Sequence, residues 1–409
     1  KIDMPVPAPR LSERLQAAGR QRITDGLWRS PPRVDYLDAT HALVDGRRLT
    51  VFCHNDYLGL AHAPELAAAR LAAATRWGSG STASAMVCGY SRAHAELETA
   101  LAEWTGRDRA LLFATGYMAN VGVLQTLLRS GDLCLQDKLN HASLLDGARL
   151  SGAVLKRYPH GDAEAAARQL ARQPEVPALL ATDGVFSMDG DIAPLADLSR
   201  LATSRRALLL VDDAHGLGVL GPAGAGTVAA AGLDQCQVPL LMGTLGKAVG
   251  TAGAFVAGPQ ELIENLAQFA RSHVYSTAPP PALAETTLAA VQLARTDHGR
   301  REHLDALIRH FRQAAAQLGL PLMPSQTPIQ PLLVGDAGLA CRISAQLAEA
   351  GFLVTAIRPP TVPAGRARLR ITLSAAHSMD QLDRLLNALE RLFRQIPDST
   401  LADGSATMP

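Results

Sequence analysis

The sequence predicts an α/β protein: a mostly parallel seven-stranded sheet between helices, followed by a smaller α+β unit. Three observations predict it. Between residues 110 and 255, seven short apolar runs alternate with helical stretches, the pattern of a sheet covered by helices on both faces. The polar clusters of that region (Gly116-Tyr117, 138–141, 183–191, 212–215 and 244–247) fall just after apolar runs, where open α/β sheets bind ligands. Beyond residue 295 the pattern changes to long helical spacings separated by three short strands, a second and smaller unit.

Taken in order, residues 1–50 read as an N-terminal arm. A loose helical spacing over 11–27 is stopped by Ser30-Pro31-Pro32, and 35–51 reads as a hairpin turning at Asp45-Gly46. The polar turn Asn55-Asp56-Tyr57-Leu58-Gly59 leads to a helix over 64–76. The small-residue loop 78–84 follows no strand and has the wrong spacing for a dinucleotide fingerprint, so it reads as close backbone packing. Leu97 and Leu101, four apart, mark an amphipathic helix over 94–105. The seven strands are expected at 110–113, 132–136, 154–158, 178–182, 207–211, 239–242 and 252–257. Helices over 259–270 and 281–295 close the large domain, which spans 51–295. Leu304, Leu307, Ile308, Phe311, Ala315 and Leu318 keep helical spacing over 297–318. The small α+β domain, 296–396, has strands expected at 329–334, 352–357 and 368–373 and helices at 339–350 and 379–393. Residues 397–409 read as a polar, disordered tail.

Bulk properties remove several function classes. Apolar residues make up 47% of the 409 and charged residues 19%, too apolar for a disordered chain. A net charge of +1 gives no bulk attraction to nucleic acid or to an anionic membrane, although a local basic patch can still bind an anionic substrate. Cys53, Cys88, Cys134, Cys236 and Cys341 are scattered, odd in number and free of a Cys-x-x-Cys pair. They point to isolated thiols in a reducing compartment. No apolar run approaches the roughly 18 residues that span a bilayer, and the N-terminus lacks an apolar signal core. A cytoplasmic location is the expectation, and Met4 reads as a natural start preceded by three residues.

The chemistry concentrates between 207 and 250. One apolar run ends in Asp212-Asp213-Ala214-His215-Gly216, and another leads into Gly243-Thr244-Leu245-Gly246-Lys247-Ala248, with Lys247 placed 32 residues after His215. A carboxylate, an imidazole, a hydroxyl and an amine at neighbouring strand ends suit carbonyl chemistry on pyridoxal phosphate. The lysine condenses with the aldehyde, the Asp keeps the pyridine nitrogen protonated and the His bonds the ring hydroxyl. Other readings are weaker. A P-loop fails because Leu241 stands where the first Gly belongs and Ala248 replaces Ser or Thr. A metal pair lacks a third ligand at recognisable spacing. A hydrolase triad lacks a Gly-x-Ser-x-Gly elbow. A structural role for Asp212 and His215, capping the next helix, stays open on local grounds.

Three further groups carry two readings each. His141, after a strand and before a helix, is either a cap or surface residue or a ring that stacks on a flat cofactor. Gly116-Tyr117-Met118-Ala119-Asn120 is either a plain strand-to-helix turn or a phosphate site built on free N–H groups and the helix dipole. Arg366, Arg368 and Arg370 share one face of a strand. A solvated basic face is the stronger local reading, and an arginine forked onto a substrate carboxylate is the functional one.

The segments 55–60, 141–147, 184–191, 212–216 and 244–247 together resemble the α-oxoamine synthases, collinearly over about residues 11–395. Segment 356–365, Ala-Ile-Arg-Pro-Pro-Thr-Val-Pro-Ala-Gly, resembles the branch that condenses L-alanine with a pimeloyl thioester in biotin synthesis. The glycine C-acetyltransferase, 5-aminolevulinate synthase and serine palmitoyltransferase branches differ there. The resemblance implies a fold-type I pyridoxal-phosphate acyltransferase working as a homodimer with shared active sites, its thioester carried by coenzyme A or an acyl carrier protein. By motif position, Lys247 matches the lysine that holds the cofactor aldehyde, Asp212 the partner of the pyridine nitrogen, His215 that of the ring hydroxyl and His141 the stacking ring. Gly116, Tyr117, Ser187 and Thr244 match cofactor contacts, and Thr361 and Arg370 match substrate contacts. Arg370 is expected to take the amino-acid carboxylate and Arg29, with Arg22 as the alternative, the acyl substrate. Ser276 or Thr277 is expected to reach the phosphate of the neighbouring subunit. The family usually has Gly where Ser81 stands and Ser where Cys88 stands. Alternatives are another α-oxoamine synthase with a different amino acid or thioester, a plain aminotransferase, and a silent relative that only binds a partner.

Overall fold

The computed structural model describes residues 10–25 and 27–396. The arm begins with helix Arg10–Thr24, which buries none of its side chains. Strands β1 (Val34–Tyr36), β2 (His41–Val44) and β3 (Arg47–Val51) follow. β2 and β3 pair as the expected antiparallel hairpin. Its turn has Asp45 at φ 48° and Gly46 at φ 82°, the left-handed pair that a two-residue hairpin requires.

The central sheet uses β4 (Arg109–Phe113), β5 (Leu133–Asp137), β6 (Val154–Tyr158), β7 (Ala178–Asp183), β8 (Leu208–Asp212), β9 (Leu240–Thr244) and β10 (Ala254–Gly258). Their order across the sheet is β4-β10-β9-β8-β7-β5-β6. Pairing is parallel except at β10, which runs antiparallel to both β4 and β9. The unbroken apolar runs follow from burial on both faces. Leu210 packs in one core with Ala119, Leu144 and Leu240. Its neighbours Leu209 and Val211 point the other way, into a core with Leu198, Ala202 and Leu241. Each such side chain contributes about 2 kcal/mol of transfer free energy.

The C-terminal unit holds β11 (Ile329–Gly335), β12 (Phe352–Leu353), β13 (Thr355–Ile357) and β14 (Ala367–Thr372). Helices Ala337–Glu349 and Met379–Phe393 pack against them, the second opened by a Ser378/Gln381 capping box. The run expected as one strand at 352–357 is two. β12 pairs parallel with β3 of the arm, and β13 pairs antiparallel with β14. Buried Val354 lies between them, so the chain changes sheet at that residue.

Loop 184–191 is clamped between the two sheets. Buried Arg368 of β14 forms an ion pair with Asp189, and the hydroxyls of Ser325 and Thr327 donate to Gly190 O at 2.9 Å each. His160 bridges Asp137 at 3.0 Å and Asp191 at 2.8 Å. Burial alone would lower its pKa, but the hydrogen bonds and charges of the two carboxylates raise it to about 10. No helix among the described residues is long and apolar enough to cross a membrane. The expected tail lies outside the described residues.

Candidate active site

Parallel pairing assembles the site. The β7–β8 register sets Asp183 beside Asp212, and β8–β9 sets Asp212 beside Met242. Carboxylates therefore emerge together at the carboxyl edge of the sheet. Beyond β9 the chain closes on itself, with Leu245 N–H to Gly253 O and Thr251 N–H to Leu245 O, both at 2.9 Å. That fixes the turn carrying Lys247. Gly116, Tyr117, His141, Ser187, Asp212, His215, Thr244 and Lys247 line one cleft, together with Ser143, Asp183, Ala214 and Met242.

Burial sets the protonation states. The Lys247 amine is pushed below its ordinary range by desolvation, partly offset by Asp212 and Asp183. His215 is held well below its ordinary range by burial, then by the charges of Lys247 and Arg370, so it stays neutral. Asp183 goes the other way, raised well above a normal carboxylate by burial and by the neighbouring Asp212. Asp212 accepts from Asn120 Nδ2 at 2.7 Å and from Ala214 N at 3.1 Å.

Helix Gly116–Leu127 opens at the cleft, capped by Thr115 Oγ1, which accepts from Met118 N at 3.2 Å. Its first N–H groups have no partner within the helix. A Cβ on Gly116 would lie 2.8 Å from Thr244 Cγ2, so only glycine lets the helix start approach Thr244 this closely. His141 is the cap of its first reading, and its ring stands where the second would need it. It caps helix Ala142–Ser151 through Ser143 N and also lines the cleft.

Arg370 reaches the cleft through other groups. Its Nε donates to Ser187 O at 2.6 Å and its Nη2 to Asn55 Oδ1 at 3.2 Å. The Tyr57 hydroxyl lies 3.3 Å from Asn55 Oδ1 and 2.7 Å from His215 Nδ1. The solvated basic face expected of β14 is not present, because Arg368 and Arg370 are both buried against loop 184–191. Arg29 and Thr361 meet each other. Both Arg29 terminal nitrogens lie 3.3 Å from Thr361 Oγ1, and Nη2 also donates to Arg358 O at 3.3 Å. Thr361 stands on the loop after β13, whose Thr355 pairs with Arg370, and Arg29 reaches it from the arm ahead of β1. Arg22 is on the exposed helix Arg10–Thr24. Ser276 and Thr277 line a different cavity, with Tyr90, His94 and His273.

Sequence reasoning did not assign roles to Asn55, Tyr57, Asn120, Ser143 or Asp183. Asn55 and Tyr57 sit within a quoted motif and Asp183 within a polar cluster, which was the available signal. Asn120 and Ser143 also sit within quoted stretches, 116–120 and 141–147, but as polar residues inside helices nothing local marked a role for them. The donor set fits pyridoxal phosphate. Gly116 opens a helix N-terminus at the cleft, the buried Asp212 carboxylate lines the same cleft, and an amine of lowered basicity completes it.

The family model described as aminotransferase class I and II matches residues 47–389. The chain is 55% identical to an 8-amino-7-oxononanoate synthase of Alkalilimnicola ehrlichii over 386 residues, 94% of this chain and 99% of that one. The serine palmitoyltransferase of Sphingomonas wittichii superposes with a TM-score of 0.90 at 32% identity, covering 95% of this chain and 100% of that one. The S. paucimobilis serine palmitoyltransferase, solved with a bound pyridoxal phosphate–myriocin adduct, has a TM-score of 0.89 at 30% identity over 95% of this chain and 99% of that one.

Proposed function

The chain belongs to the class I and II aminotransferase family and, within it, to the 8-amino-7-oxononanoate synthases, and we propose how its cleft performs their reaction. It is an acyltransferase. The reaction joins L-alanine to a pimeloyl thioester with loss of carbon dioxide and release of the thiol, giving 8-amino-7-oxononanoate for biotin synthesis. The observation that carries the assignment of roles is the meeting of Lys247, Asp212, His215 and His141 in one cleft, with Arg370 tied to its wall.

In our reading the cofactor is pyridoxal phosphate. Gly116, Tyr117 and Thr244 would hold its phosphate, His141 would stack on the ring, Asp212 would pair with the ring nitrogen, Ser187 and His215 would bond the ring hydroxyl, and Lys247 would hold the aldehyde. When bound, it supplies a sink for the electron pair left at the alanine α-carbon. The protein supplies the rest. Arg370 takes the alanine carboxylate as a fork. The Lys247 amine, already of lowered basicity, removes the α-proton and later returns one. His141 donates to the thioester oxygen as charge grows on it. Arg29 and Thr361 receive the far carboxylate of the acyl chain.

We also assign the unit boundaries given above, a cytoplasmic location and a homodimer. Exposed Leu11 and Leu15 on a helix that buries nothing within its own chain support a second copy as the partner. Ser276 or Thr277 then serves the phosphate of the neighbouring subunit. The deciding experiment offers alanine, glycine and serine with thioesters of different chain length, on coenzyme A and on a carrier protein, and measures carbon dioxide and thiol together. Equal release of both with alanine and pimeloyl thioester is expected. Preference for glycine or serine, or keto acid without thiol, overturns the substrate assignment.

A further inference from the structure

A hydrogen-bond chain runs behind the cleft from Asp212 to His141. Asn120 Nδ2 donates to Asp212 Oδ2 at 2.7 Å and to Ser143 Oγ at 2.9 Å. Ser143 Oγ lies 2.7 Å from His141 Nδ1, and Ser143 N–H donates to the same nitrogen at 3.3 Å. Asn120 and Ser143 are fully buried.

Chemistry fixes the direction of every link. Asn120 turns its NH2, which can only donate, toward Asp212 Oδ2 on one side and Ser143 Oγ on the other. Among the described residues the Asn120 carbonyl oxygen has no hydrogen-bond partner. The Asn120 nitrogen can only donate to Ser143 Oγ, so the hydroxyl hydrogen turns to the acceptor within reach, His141 Nδ1. A main-chain N–H also only donates. Nδ1 thus receives two hydrogen bonds and carries no proton, and the ring hydrogen sits on Nε2.

We propose that Asn120 and Ser143 are positioning residues, which hold His141 with Nδ1 as acceptor and Nε2–H as donor and tie that orientation to the Asp212 carboxylate. This deepens the reaction proposed above and rests on it. The Nε2–H is the group offered to the acyl oxygen, and His141 works as a hydrogen-bond donor and not as a base through Nδ1. The ring that would stack on the cofactor and the carboxylate that would pair with its nitrogen are then set by one connected unit.

The test reads the tautomer directly. The full chain, labelled with 15N in histidine and loaded with pyridoxal phosphate, is observed by NMR, and His141 is assigned by the signals lost in His141→Asn. The expected result is a bare Nδ1 and a protonated Nε2. Ser143→Ala is expected to give a mixture of tautomers and about a tenfold lower kcat/KM for the thioester, with the KM for alanine unchanged. Ser143→Thr, which keeps the hydroxyl, restores both readouts. Asn120→Ala shifts the tautomer in the same direction as Ser143→Ala and guards against a failure of one variant to fold. A protonated Nδ1 in the unsubstituted protein, or an unchanged tautomer in both alanine variants, overturns the proposal. The tautomer is measured without turnover. A protein that shows it but condenses a different amino acid therefore refutes the substrate reading alone.

Discussion

Single side chains carry the chemistry here because burial changes what they are. Lys247 is a poorer base than a surface lysine, since desolvation disfavours its ammonium form. Lys247→Ala is expected to abolish turnover together with the visible absorption that borohydride removes; an active variant sinks the role. Arg370 is a buried fork whose donors reach neutral acceptors, among them Ser187 O and Asn55 Oδ1. Arg370→Ala should raise the KM for alanine by about 10–100-fold, the loss of hydrogen bonds to a charged group, and an unchanged KM moves the carboxylate site elsewhere. The motif-bearing members of this site were legible in the sequence because each follows an apolar run, where a polar residue is conspicuous. Asn120 was not. It sits between Ala119 and Val121 in helix Gly116–Leu127, and only the packing of that helix on the sheet brings it to Asp212. Arg368 misled for a related reason. A charged residue on a strand reads as solvated until its partner, Asp189, arrives from a loop nearly 180 residues away in the chain.

Among elements, helix Gly116–Leu127 shows local preference opposed by function. Alanine favours a helix over glycine by roughly 1 kcal/mol in the interior. Here the added methyl would press on Thr244 where the phosphate is proposed to sit. Gly116→Ala is therefore expected to weaken cofactor binding at least about tenfold by absorbance titration, while cofactor-free stability by urea unfolding changes by less than about 1 kcal/mol. Equal cofactor affinity would place the phosphate elsewhere. The strands of the central sheet were all legible, since a strand buried on both faces has no polar interruptions. The split of β12 from β13 was not. Nothing local to Val354 marks it; the two halves differ only in which distant strand each one meets, β3 or β14.

For the whole molecule, histidines set the pH range of stability from opposite sides. His160 has a folded pKa of about 10 against 6.5 for the free group. The stability it confers is present in full below pH 6.5 and is lost as pH rises from there through about 10. His377, buried and stacked on Phe52, is lowered to about 3, chiefly by burial. The unfolded chain then takes up its proton first, so stability is lost as pH falls from 6.5 through about 3. Denaturant midpoints between pH 4 and 10 should peak near neutrality, and His160→Asn should flatten the alkaline side; an unchanged alkaline slope removes the clamp from the account. The pairing of β12 with β3 bears on how the protein is made. Phe352 meets Thr50, a partner synthesised 302 residues earlier, and at about 5–20 residues per second the delay is about 15–60 s. Through that interval the arm hairpin has an unpaired edge and an apolar face of Ala42, Leu49 and Val51 without its cover. The nascent chain thus carries an adhesive ribbon for most of its time on the ribosome, and its yield in a cell depends on what shields that ribbon until residue 352 emerges.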